Sequence, residues 1–326
     1  MQGRTTAVIT AVAGALFGLL VTLAALTSPI AGAPRASVLL SGLVAGWSVI
    51  GVGAALWVRF PDTRVGAISL AVGTAIFVPE LRWIGGDLAW TAGWATTDIH
   101  LVLLSWLVLA FPTGRLRRSE RTLVGSMAAY FALLAVAGLL FSDPWPGCAE
   151  CPNNLLLLTE DANLNSIVWS TARWVNLGLV AWLVVAIGRK RRRASTAGRR
   201  ALAPVVWALG PVGIALVIAF VEPALDVSDS VTEGVAVLER LALIAFPAFL
   251  AAGMVRANLA LGRVADLAAD LSDLLTPDEL DAAVQQALGD PSARVAFGDL
   301  SRMVDPHGTP IERDGQVATP VRAGTR

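Results

Sequence analysis

The chain has 326 residues, of which 55% are hydrophobic and only 15% charged, and its acidic and basic groups balance to a formal net charge of zero. A mean hydropathy of +0.65 places it among membrane proteins. Zero net charge removes the general electrostatic case for nucleic-acid binding.

In chain order, Arg4 precedes an apolar run from Thr5 to about Ile30 that is too long for the core of a signal peptide, so it reads as a first membrane span. A span needs roughly 20 predominantly apolar residues. Eight segments qualify: Thr5–Thr27, Ser37–Val58, Gly66–Ile84, Thr97–Pro112, Thr122–Phe141, Ile167–Gly188, Ala201–Val221 and Gly234–Val255. The third is interrupted by Pro79, Glu80 and Arg82, and the fourth is short. Arginine collects in alternate loops: Arg59 and Arg64, then Arg115, Arg117, Arg118 and Arg121, then the run from Arg189 to Arg200 around Lys190. Basic loops stay on the cytoplasmic side. The expectation is a multi-pass protein of the cell membrane with both termini cytoplasmic. The Arg189–Arg200 run could also be taken for a lipid- or nucleic-acid-binding patch, but its place between two spans makes it a topology determinant.

The last span, from Gly234, passes without a break signal into RANLALGRVADLAADLSDLL, ending at Leu275. Val264, Leu267, Leu271 and Leu274 recur at intervals of three and four, the seam of a short coiled coil and of a homodimer. Thr276-Pro277-Asp278-Glu279 then reads as a capping box opening a helix from Pro277 to Leu288. Strand-like pieces ARVAFGDL, RMVD, TPIER and QVATPV follow, separated by the turn sequences at Asp305–Gly308 and Arg313–Gly315. The predicted fold is an all-α bundle of about eight transmembrane helices, a signalling helix and a small, incomplete α+β segment. The corresponding divisions are 1–255, 256–275 and 276–326.

Ionisable residues inside spans are functional candidates by default, because each is costly unless paired or hydrated. On the topology above, Glu80, Arg82, Asp98, His100, Arg173, Glu222, Glu239 and Arg240 all fall in the outward half of the bundle. Two readings are open: a polar cup that binds a small ligand or responds to pH or potential, and a set of buried ion pairs that fixes helix register. Trp83, Trp90, Trp94, Trp145 and Trp169 lie on the same side and read as an interfacial aromatic belt. Cys148 and Cys151 form CAEC in an outward loop, where a small disulfide staple is expected. Two ligands are too few for a structural zinc site. Neither His100 nor His307 lies where a phosphoaccepting histidine would, and no ATP-binding signature occurs. No catalytic residue, metal or cofactor is expected in this chain.

Five stretches carry a resemblance: FPTGRLRR at Phe111–Arg118, CPNNLLLL at Cys151–Leu158, RVADLAADLSD at Arg263–Asp273, ALGDPSARVAF at Ala287–Phe297, and VDPHGTP with IERDGQVA up to Ala318. Together they make the chain resemble the N-terminal sensory region of actinobacterial two-component histidine kinases. The last two stretches resemble the reduced GAF-like segment such kinases carry between membrane and kinase core. The resemblance implies a dimeric receptor that drives a phosphotransfer bundle, an ATP-binding domain and a response regulator. ATP would belong only to a kinase core whose motifs this sequence does not contain. Two other functions stand beside this one: a small-solute transporter or channel using the polar cup, and a non-catalytic scaffold that pairs with full-length kinases.

Overall fold

The computed structural model describes residues 2–30, 33–142, 151–194, 196–221, 228–271, 281–282, 284–285, 294–299, 302–305 and 309–310. Its helices are α1 (Gln2–Leu26), α2 (Ala36–Arg59), α3 (Val65–Ala75), α4 (Asp87–Ala95), α5 (Ile99–Ala110), α6 (Arg118–Phe141), α7 (Ala162–Arg193), α8 (Thr196–Val221) and α9 (Asp229–Leu271), with a 3₁₀ segment at Val78–Trp83. Among the described residues, eight segments are long and apolar enough to cross a bilayer. The protein is a multi-pass membrane protein with an all-α bundle.

Six spans are single helices and two are not. The third, Val65–Trp83, consists of α3 and the 3₁₀ segment, and the fourth, Asp87–Ala110, consists of α4 and α5. The sequence pattern starts the fourth span at Thr97 and so puts Asp98 and His100 at its outer end. The apolar helical segment in fact begins at Asp87, which puts both residues near mid-span.

Loop contacts sort the helix ends into two sides. Gly114 lies so close to the α2–α3 loop that a Cβ on it would sit 2.6 Å from the Arg64 backbone nitrogen. Its φ of +74° also favours glycine there, which accounts for that residue in the FPTGR turn. On the opposite side the backbone N–H of Asn153 donates to Asp87 at 2.8 Å, and that of Leu155 donates to the Thr91 hydroxyl at 3.2 Å. There too Arg35 pairs with Glu233, whose other oxygen accepts a hydrogen bond from Ser37 at 2.6 Å. The loop carrying Arg59 and Arg64 and the loop carrying Arg115 to Arg121 therefore share one side, and Asn153 and Leu155 hold their segment against α4 on the other.

Packing in the first half depends on small residues. α2 and α3 form an antiparallel hairpin in which Gly53 abuts Leu70, Gly66 abuts Trp57 and Gly73 abuts Ile50. Such contacts let backbones approach where lipid provides no hydrophobic drive. Phe77, at the break after α3, is 1% exposed. Its ring fills the space beside Gly18 of α1 and Gly46 of α2, where added Cβ atoms would lie 2.3 Å and 2.2 Å away. α6 begins with Glu120 accepting the backbone N–H of Arg117 at 2.7 Å. Leu123, Met127, Phe131 and Leu134 of α6 pack with Leu109 of α5 and Ala172 of α7.

The chain divides into two units, one comprising Met1–Arg189 with Pro204–Ala251 and the other Lys190–Ala203 with Ala252–Arg326. In the second unit Asp281, Ala282, Val284 and Gln285 are helical, within the helix predicted from the capping box. The box itself, residues 276–279, lies outside the described residues. Strands β1 (Phe297–Asp299) and β2 (Arg302–Val304) pair antiparallel, Gly298 opposite Met303, and Val304 bridges to Pro310. Reciprocal bonds between Asp305 and Thr309 close the turn between β2 and that bridge: the Asp305 N–H donates at 2.8 Å, and its side chain accepts the Thr309 N–H at 2.7 Å. After α9 the described residues of this unit are thus a hairpin with a helical stretch, the pattern of the first predicted strands. QVATPV lies outside the described residues.

Candidate functional site

The site grows out of the two broken spans. Pro79 lacks a backbone N–H, and the chain around it tightens into the 3₁₀ segment that carries Glu80 and Arg82. The second break has a different origin. The hydroxyl of Thr96 donates to the carbonyls of Ala92 at 2.8 Å and Gly93 at 3.2 Å, and that of Thr97 to Trp94 at 2.9 Å. These side chains compete for carbonyls that a continuing helix would use. Asp98 follows at the start of α5 without capping it by a side-chain bond. The 3₁₀ segment and α4 touch at Gly93, where a Cβ would stand 2.4 Å from the Arg82 backbone nitrogen.

α9 delivers the remaining charges. Arg240 Nη2 lies 3.9 Å from Glu80 Oε1, with the two side chains 17% and 13% exposed respectively. Arg240 passes beside Gly42 of α2, whose missing side chain leaves it room: a Cβ there would lie 3.8 Å from Nε. Arg82 is within electrostatic reach of Glu80, Arg240 and Asp98, and its guanidinium leans over the ring of Trp83 at 5.0 Å. Glu239 is within electrostatic range of Asp98, and Arg240 of His100. The His100 ring nitrogen Nδ1 also lies 3.0 Å from the carbonyl oxygen of Thr97. Six of the eight residues singled out from sequence therefore converge: Glu80, Arg82, Asp98, His100, Glu239 and Arg240.

The depth of this cluster follows from α9. Arg240 lies seven residues beyond Glu233, which pairs with Arg35 at the bundle's end, so it sits about 10 Å deeper at the helical rise. Glu80 Oε2, Arg82 Nε, and Nε and Nη1 of Arg240 are buried without a hydrogen-bond partner among the described residues. Buried polar atoms normally have partners. This cluster is therefore equipped to take additional polar groups.

Arg173 does not join the cluster directly. It lines a neighbouring cavity of about 580 Å³ together with Asp98, Trp94, Trp169 and Asn176. Asp98 thus belongs to both. Two of the tryptophans depart from the aromatic-belt expectation. Trp83 is 7% and Trp90 2% exposed, so both are buried within the protein. Trp90 stacks on Trp94 at 5.6 Å, and Trp94 meets Trp169 edge to face at 6.1 Å. Gly138 of α6 gives the Trp94 indole space, a Cβ there lying 3.0 Å from Nε1. Trp145 lies outside the described residues.

Glu222, Cys148 and Leu274 also lie outside the described residues. Cys151 is disulfide-bonded. Val264, Leu267 and Leu271 lie on the continuous helix α9, but their side chains are outside the described set. Among the described residues no group of three histidine, cysteine or carboxylate side chains is placed to hold a metal ion. Asn176 is not among the residues singled out from sequence, and its signal there is an amide inside an apolar span. No protein-family model, no curated protein and no solved structure matches this chain.

Proposed function

We propose that this chain is a membrane-embedded sensory input module for a histidine-kinase output, in which the buried charge cluster registers the stimulus and α9 carries the response. The observation behind this reading is the continuity of α9. One helix of 43 residues holds Glu239 and Arg240 in the cluster and runs on to Leu271. A change of charge or ligation at Arg240 acts on the membrane part of that helix, and Val264, Leu267 and Leu271 of the predicted seam lie on its later part. Pro247 lies between them and leaves the carbonyl of Leu243 without its helical donor, a point where bending costs less. The arginine-rich loops favour a cytoplasmic output side, and a homodimer is the expected state.

A second reading, small-solute transport, draws on a specific observation. Two consecutive spans are broken and carry ionisable residues at their breaks, a feature of transporter binding sites. One experiment separates the two. A kinase core is fused in helical register after Leu271, and autophosphorylation is measured in nanodiscs for the wild type, Glu239→Gln and Arg240→Gln across pH and membrane potential. The sensory reading requires a several-fold change of output in at least one variant. Unchanged output in both, alongside solute uptake into proteoliposomes that the same variants abolish, would replace it with transport.

A further inference from the structure

We propose that the cavity beside the cluster binds a zwitterionic amphiphile: a molecule with an ammonium group, an anionic oxyacid group and an apolar body. This deepens the sensory reading and rests on it, by naming the ligand class of that region. The cavity of about 580 Å³ falls within the roughly 300–1,000 Å³ typical of small-molecule sites. Ala128 and Ala135 of α6 both line it, so it extends about 10 Å along the bundle at the helical rise.

Its wall is mainly apolar, with Trp94, Trp169, Phe131 and Phe220 providing the surface for an apolar or aromatic body. Among the described lining residues there is one anion, Asp98, and one cation, Arg173. The two do not form an ion pair with each other, and Arg173 has no hydrogen-bond or ion-pair partner among the described residues. The Asn176 amide oxygen is buried without a partner. It lies three residues after Arg173 and so on the same face of α7. A purely cationic ligand would leave Arg173 uncompensated, and a purely anionic one would leave Asp98 with no cation beyond Arg82. A zwitterion answers both, its ammonium at Asp98 with Asn176 as a further acceptor, and its oxyacid at Arg173. Asp98 is also within reach of Glu239 on α9, so occupancy at Asp98 is felt on the helix that leaves the membrane. The same chemistry occurs in free amino acids with apolar side chains and in phosphatidylethanolamine headgroups.

The test is calorimetric titration of the full chain in dodecyl maltoside. Three probes share one aromatic body: L-phenylalanine carries both charges, phenethylamine only the cation and 3-phenylpropionate only the anion. Lysophosphatidylethanolamine and anionic lysophosphatidylglycerol form the lipid arm. The expected result is saturable binding of a zwitterion, with the singly charged probes weaker by about tenfold or more, the loss of one charge-assisted hydrogen bond. Asp98→Asn should shift preference toward 3-phenylpropionate, and Arg173→Gln toward phenethylamine. Misfolding cannot produce opposite shifts. Saturation by L-phenylalanine assigns a free solute, whereas saturation by the lysolipid alone assigns a headgroup. No saturable binding of either zwitterion, equal binding of the singly charged probes, or unchanged preference in both variants overturns the proposal. If the proposal fails while Arg240→Gln still alters fused-kinase output, the ligand class alone is wrong. If binding holds and output never changes, the sensory reading alone is wrong.

Discussion

Replacing Glu80 with Gln, Arg240 with Gln and both together isolates the interaction at the centre of the cluster. At 3.9 Å the pair's Coulomb attraction is about 4 kcal/mol at an effective dielectric of about 20. Desolvation of both ions opposes it, by several kcal/mol each for buried ions. What remains is asymmetric, because Glu80 faces two guanidinium groups. Removing Arg240 leaves Glu80 with Arg82, but removing Glu80 leaves Arg82 and Arg240 repelling each other. Glu80→Gln should therefore destabilise by about 2–4 kcal/mol and Arg240→Gln by about 1–2 kcal/mol, within the range for breaking a buried pair or network. The double variant should fall short of their sum by about 1–2 kcal/mol, the coupling typical of neighbours in one network. Thermal unfolding of the detergent-solubilised chain reads this out at about 2–4 °C per kcal/mol. Additive midpoint shifts, or a larger loss from Arg240→Gln than from Glu80→Gln, would refute the arrangement.

Other predictions concern the framework. Gly46→Ala puts a Cβ against the Phe77 ring and should cost about 1–3 kcal/mol by overpacking, with Phe77→Leu in the same chain recovering much of the lost melting temperature. No recovery would mean that Phe77 does not fill that space. Glu233→Gln breaks a pair whose arginine side chain is 68% exposed. It should lower stability by less than about 1 kcal/mol, a smaller shift than either cluster variant. Leu271→Asp should weaken self-association of the full chain in nanodiscs, read by single-molecule subunit counting, and an unchanged dimer fraction would reject the seam.

Much of the bundle was legible because long apolar runs bounded by arginine encode little besides membrane spans. Pro79 announced the first helix break. The second carried no proline or glycine, only Thr96, Thr97 and Asp98, whose side chains compete with the backbone for hydrogen bonds. Taking Thr97 as the start of a span moved Asp98 and His100 outward and hid α4. The same misplacement turned Trp90 and Trp94 into a belt, although their spacing of four puts them on one helix face. Convergence was a different matter. That Arg240 would meet Glu80 depends on α9 passing Gly42 of α2, a long-range register that no local pattern records. The charged residues could be named from sequence, but the cavity that joins Asp98 to Arg173 could not.

Transmission of the cluster's state along α9 is what the proposed function depends on. Spin labels introduced at Arg59→Cys, the end of α2, and Asn258→Cys, at the end of the last span, report it most directly. Their distance distribution would be measured by pulsed electron resonance in nanodiscs, in an otherwise wild-type chain and with Arg240→Gln added. A shifted or redistributed distance on neutralising Arg240, with none on the peripheral Glu233→Gln, is the predicted result. Identical distributions in all three proteins would contradict it.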